Sequence, residues 1–137
     1  MIKQIWINLP VKNINKSRDF FVQLGFTLNT QYGNSENGAS LFVGEKNVVV
    51  MLFPETIFRG FTSNEITDPK KGTEVLFSID AESREEVDEL ARKVVAAGGS
   101  VYNEPGDNQG WMYGFGFMDI DGHRWNVLYM DFSKMPK

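Results

Sequence analysis

Phe117-Met118-Asp119-Ile120-Asp121-Gly122-His123-Arg124-Trp125-Asn126-Val127-Leu128-Tyr129-Met130 reads as two strands joined by a tight turn. Asp and Gly tolerate the positive φ angles that strand-to-strand turns require, and Asp119-Ile120-Asp121-Gly122 stands between two apolar runs. Side chains alternate along a strand. Arg124, Asn126, Leu128 and Met130 therefore share one face, and His123, Trp125, Val127 and Tyr129 the other.

Upstream of this hairpin the pattern extends to a complete unit. Strands are expected at Ser100–Tyr102, Trp111–Met118 and His123–Met130, with Gly114 and Gly116 permitting close approach or strong curling rather than forming a phosphate-binding fingerprint. Before them, Ser83 and Glu86 stand at capping-box spacing, Val87, Leu90, Ala91, Val94 and Val95 recur at helical intervals, and Gly98-Gly99 ends the run. A strand over Glu74–Ile79 precedes the helix, which makes βαβββ.

The first half repeats that order. Ile5, Ile7, Leu9 and Val11 alternate with Trp6, Asn8 and Pro10, Asn13 is placed as an N-cap, and Ile14, Ser17, Phe20, Phe21 and Leu24 fall on one helical face that Gly25 terminates. Strands are expected at Phe26–Gln31, Ser40–Val43 and Asn47–Phe53. Trp6–Val11 and Glu74–Ile79 match in apolar parity at an offset of 68 residues, which reads as an internal duplication. The resulting division is one domain over 1–137: a module to about residue 53, a connection to about 72, a second module from about 73 to 131, and a tail over 132–137. Within the connection, Ile57, Phe58 and Phe61 predict a short helix or flap folded back onto apolar surface.

Composition narrows the function. With 42% apolar residues the chain can build a core, and no apolar run approaches the roughly 18 to 20 residues of a membrane span. The amino terminus enters a strand pattern without a signal peptide, so a soluble, cytoplasmic protein that avoids membranes is expected. The absence of Cys excludes disulfides and thiolate sites, and the single His leaves few nitrogen ligands. A net charge of −4 argues against a nucleic-acid partner.

The two βαβββ units, the run Ser17-Arg18-Asp19-Phe20-Phe21-Val22-Gln23-Leu24-Gly25-Phe26 and the late Asp119–Gly122 hairpin together resemble the vicinal oxygen chelate superfamily of glyoxalase I, bleomycin-resistance proteins and extradiol dioxygenases. Within it the chain is similar to small bacterial proteins described as predicted lactoylglutathione lyases. The resemblance implies an α+β fold in which two βαβββ modules form a curved, cup-like mixed sheet around one cavity. In the family, four inward side chains, usually two His and two Glu, hold a divalent metal there. By motif these positions fall on Trp6, Glu74, Asn126 and, within one residue, Met51. Trp and Met do not chelate such ions, and one carboxylate with one amide oxygen falls short of three or four good donors, so no metal cofactor is expected.

The implied ligand pocket comprises Trp6, Asn8, Met51, Glu74, Tyr113 and Asn126, while Trp111, Phe115 and Trp125 are either pocket wall or core. Glu74 is the candidate catalytic residue. It either lines the cavity as a general acid or base, or sits at an exposed strand end paired with Lys70, Lys71 or Arg124. His123, of parity opposite to Asn126, is expected to be structural or solvated. The expected function is metal-free binding of a small-molecule ligand, with a glyoxalase-like lyase or isomerase as the alternative, and a homodimer is the expected assembly.

Overall fold

The computed structural model describes residues 1–31 and 34–136. Its contacts divide the chain into two compact units, Met1–Asp68 and Pro69–Lys137. The first contains β1 (Trp6–Val11), α1 (Ile14–Leu24), β2 (Thr27–Leu28), β3 (Ala39–Val43), β4 (Val48–Pro54) and α2 (Glu55–Thr62). The second contains β5 (Leu76–Asp80), α3 (Arg84–Ala96), β6 (Ser100–Asn108), β7 (Met112–Met118) and β8 (Arg124–Met130), then a short 3-10 turn over Phe132–Lys134.

Both units have the expected βαβββ order and a four-stranded mixed sheet. The strand orders are β1-β4-β3-β2 and β5-β8-β7-β6, with the first pair parallel and the others antiparallel in each case. The fold is therefore α+β.

In the first unit, Asn13 caps α1 by accepting the Lys16 N–H at 3.1 Å, and Gly25 closes it in the left-handed region at φ 105°. Ile14, Ser17, Phe20, Phe21 and Leu24 are the buried helical face, as their spacing predicts. They meet Leu9, Val11, Val50, Leu52 and Leu41, which lie on one side of the sheet by alternation and are all buried. In the second unit, Val87, Ala91 and Val94 of α3 are buried on the side of Phe115, Phe117, Trp125 and Val127. The Phe117 and Trp125 rings stack 6.1 Å apart, and Phe77 lies 4.8 Å from Trp125. Each such fully buried large apolar side chain contributes about 1.5–3 kcal/mol relative to exposure. Trp125 and Phe115 are thus core.

Several boundaries differ from the sequence expectation for local reasons. β2 covers two residues rather than Phe26–Gln31, because the buried Asn29 side chain accepts the Gln31 N–H at 3.1 Å and turns the chain. β6 continues past Tyr102 to Asn108, since two register shifts, at Val101/Asn103 and Asn103/Gly106, absorb Pro105 on an edge strand. In α3, Val95 is exposed, off the buried stripe. The connection forms the expected short helix, α2, whose Phe61 ring meets Phe53 edge-on at 5.0 Å.

The repeat offset is also corrected. The N-caps Asn13 and Ser83, and the helix starts Ile14 and Arg84, are 70 residues apart rather than 68. Trp6 and Asn8 then correspond to Leu76 and Ser78. Glu74 precedes β5 instead of lying on it.

Candidate functional site

Each sheet is covered by its long helix on one face. The other face carries the residues of interest. In the first unit the parallel register sets Asn8 beside Met51 and Trp6 beside Val49, and Met51 pairs in turn with Ser40 of β3. Cross-strand partners share a face, so Trp6, Asn8, Met51 and Ser40 lie together opposite α1. Trp6 is 55% exposed, which is unusual for an indole held on a regular strand.

In the second unit three rows cross the face opposite α3. Arg124 lies between Leu76 and Met118, Asn126 between Ser78 and Gly116, and Leu128 between Asp80 and Gly114. Gly116 leaves room for Tyr102. A Cβ built on Gly116 would come within 2.6–2.8 Å of the phenol ring and hydroxyl, so the ring occupies the space a side chain would fill. The Arg124 guanidinium lies over that ring at 4.4 Å from its centre.

Tyr113 does not join this group. It pairs with Tyr129, on the α3 side of the sheet, and its hydroxyl donates to Asp88 at 2.6 Å. That hydrogen bond holds the phenol pKa above its ordinary value, with burial acting in the same direction. Arg84 packs over the Tyr113 ring at 4.9 Å and pairs with Asp107 at 2.6 Å, holding the Asp107 carboxyl below the usual carboxylate range. Glu74 is exposed and makes none of the expected pairings with Lys70, Lys71 or Arg124. A groove of about 510 Å³ runs over Val95, Val101 and Pro105 between α3 and β6, and none of the ligand-pocket residues predicted from sequence lines it.

The hairpin that positions Asn126 is organised by Asp119. Its Oδ1 accepts the backbone N–H groups of Asp121 and His123 at 3.0 Å each, and its Oδ2 accepts the Trp125 indole N–H at 3.1 Å. Burial raises its carboxyl pKa, opposed by the nearby His123 and by the hydrogen bonds from Trp125 and the His123 backbone. Gly122 completes the turn at φ 91°, with Pro69 where a Cβ would sit. The backbone of His123 thus serves the turn.

A divalent metal of the kind the family resemblance implies does not fit these residues. In the first unit the strand positions offer an indole, a thioether and the neutral oxygens of Asn8 and Ser40; in the second they offer those of Ser78 and Asn126 and one carboxylate, Asp80. Neither set supplies the three or four charged or imidazole donors that hold Zn²⁺, Ni²⁺ or Mn²⁺. Among the described residues, no group of three or more His, Cys, Asp or Glu side chains is placed to hold an ion. Sequence reading missed Tyr102 and Arg124 as a pair. The signal was Gly116, whose missing side chain marks an approach by something else.

Comparison with known proteins follows the same lines. The profile of the Glyoxalase/Bleomycin resistance protein/Dioxygenase superfamily matches residues 3–127. A hypothetical protein, SA1046, from S. aureus is 34% identical over 94% of this chain and 95% of its own, with a TM-score of 0.83. A glyoxalase/bleomycin resistance protein/dioxygenase family enzyme from Burkholderia phytofirmans PsJN shares the fold at a TM-score of 0.77 and 17% identity, covering 91% of this chain and 96% of its own. The genomically encoded fosfomycin resistance protein FosX from Listeria monocytogenes does so at 0.68 and 20%, with 98% of both chains covered. No curated protein matches. With its duplicated βαβββ units and a profile match over most of its length, the chain belongs to the Glyoxalase/Bleomycin resistance protein/Dioxygenase superfamily.

Proposed function

We propose that the protein binds a small, partly apolar or aromatic molecule against the sheet faces opposite α1 and α3, without a resident divalent metal. The exposed Trp6 indole, set on a regular strand near the Asn8 amide and the Met51 thioether, carries this reading. Such a surface suits an apolar body with a hydrogen-bonding substituent. The donor chemistry supports the metal-free part. The glyoxalase-like alternative would require a base at the reacting centre, whereas Glu74 stands exposed ahead of β5. The proposal includes a homodimer, supported by the exposed apolar side chains of Ile2, Ile5 and Val75.

The test uses the neutral dye N-phenyl-1-naphthylamine with chelator present. Saturable binding is expected, weakened about tenfold in Trp6→Ala, the scale of one large apolar contact. Calorimetric titration of Ni²⁺, Zn²⁺ and Mn²⁺ should show no stoichiometric uptake. Micromolar metal binding that disappears in Glu74→Gln would overturn the reading and favour the glyoxalase-like lyase.

A further inference from the structure

Of the two arginines that pack over a tyrosine ring, Arg84 and Arg124, only Arg124 does so without a carboxylate partner among the described residues; Arg59 and Arg92 also lack an ion pair there but lie over no ring. Arg84 is paired with Asp107 at 2.6 Å, and Arg18 lies 3.9 Å from Asp19. Arg124 makes no ion pair among the described residues, although the chain carries 18 Asp and Glu against 14 Lys and Arg. It is also held in place. Tyr102, at a bulge of β6, lies across the backbone of Gly116, and the guanidinium packs over that ring at 4.4 Å. A stacked guanidinium keeps its planar fork of N–H donors available while losing much of its rotational freedom, the preparation that bidentate recognition of an anion requires.

The surroundings define the ligand further. Asn126 follows two residues along β8 on the same face, about 7 Å away, and Ser78 is its cross-strand neighbour. Both offer donors to a second oxygen. Leu76 and Met118 flank Arg124 in its own row, and Leu76 is exposed, so an apolar body is accommodated beside the charge. Asp80, the acidic residue on this face of β5, lies two rows from Arg124, at the far end of that strand.

We propose that Arg124, seated on Tyr102 over Gly116, forms an anion-binding site on the face of the second sheet opposite α3, selecting a carboxylate, phosphate or phosphonate borne on an apolar body. This deepens the small-molecule reading and rests on it.

The test is calorimetric titration at low ionic strength with benzoate, phenylphosphonate, inorganic phosphate and the neutral isostere benzamide. Benzoate and phenylphosphonate are expected to bind wild type at least tenfold more tightly than benzamide, with affinity falling as salt is added. Inorganic phosphate should bind more weakly than phenylphosphonate. Arg124→Gln should erase the preference for anions over benzamide. Gly116→Ala, whose methyl displaces the Tyr102 ring, should reduce anion affinity severalfold with the charge intact. Equal binding of benzoate and benzamide by wild type would overturn the inference without any variant. So would undiminished benzoate binding by Arg124→Gln. If inorganic phosphate bound as tightly as phenylphosphonate, the apolar half of the proposal would fail. Dye binding without anion preference would sink this inference alone, whereas failure of dye and anions together would sink the small-molecule reading as well.

Discussion

Asp119 shows how much one buried carboxylate can fix. Replacing it with Asn would leave Oδ1 to accept the two backbone N–H groups but would present an N–H₂ to the Trp125 indole, donor against donor. We expect Asp119→Asn to lose about 1–3 kcal/mol, the cost of an unsatisfied buried donor, measured by urea unfolding. The pH dependence has a defined sign. Burial raises the folded-state pKa above the unfolded value, so the folded chain binds this proton more tightly. The stabilisation is full below the unfolded pKa and is lost as pH rises through the folded one. The gap between wild type and Asp119→Asn should be widest below about pH 4 and narrow toward neutrality. A gap that widened with pH would contradict this assignment. The turn itself was legible from Asp-Ile-Asp-Gly. The role of Asp119 was not, because a turn signature does not reveal which side chain is folded inward. Tyr113 was misplaced for a related reason: its parity against Asn126 depends on hairpin pairing that a single strand does not declare.

At the scale of elements, local chemistry was legible wherever it acts over three or four residues. Asn13, Gly25 and Ser83 do what their positions predict: the Ser83 Oγ accepts the Glu86 N–H at 3.1 Å, and Glu86 Oε2 reaches back to the Glu82 N–H at 3.1 Å. Ser83→Ala should cost about 1 kcal/mol through α3, seen as a lower urea midpoint at unchanged slope. An effect within error would show that tertiary packing alone sets the start of α3. Long-range register was less legible. The β-period is two, so a repeat displaced by two residues leaves every apolar side chain on its proper face, and 68 could not be told from 70 by alternation. Only the caps distinguish them. That ambiguity placed Glu74 on a strand it precedes.

For the whole molecule, the duplication was the most legible feature because two copies of one pattern check each other, and the family follows from it. The ligand face was legible only in part. Trp6 and Asn8 share a face by simple alternation and Met51 was reached only through the family resemblance, while the Tyr102–Arg124 stack depends on a β6 bulge that sequence does not announce. Assembly is decided by mass: light scattering at tens of micromolar should return twice the 15.6 kDa of one chain, and a monomeric value would refute the proposed homodimer.

The strand orders carry one more implication. β1, β2, β5 and β6 each have a hydrogen-bonded neighbour on a single side. Pro10 interrupts the N–H series of β1, Pro105 that of β6, and β2 is only two residues long. Each is a feature that discourages another chain from adding on. β5 has none of these: no proline interrupts Leu76–Asp80, so the alternate N–H groups that point away from β8 all stand open at the edge, with Val75 exposed at its entrance. In a partly unfolded chain, this segment is where intermolecular aggregation would start.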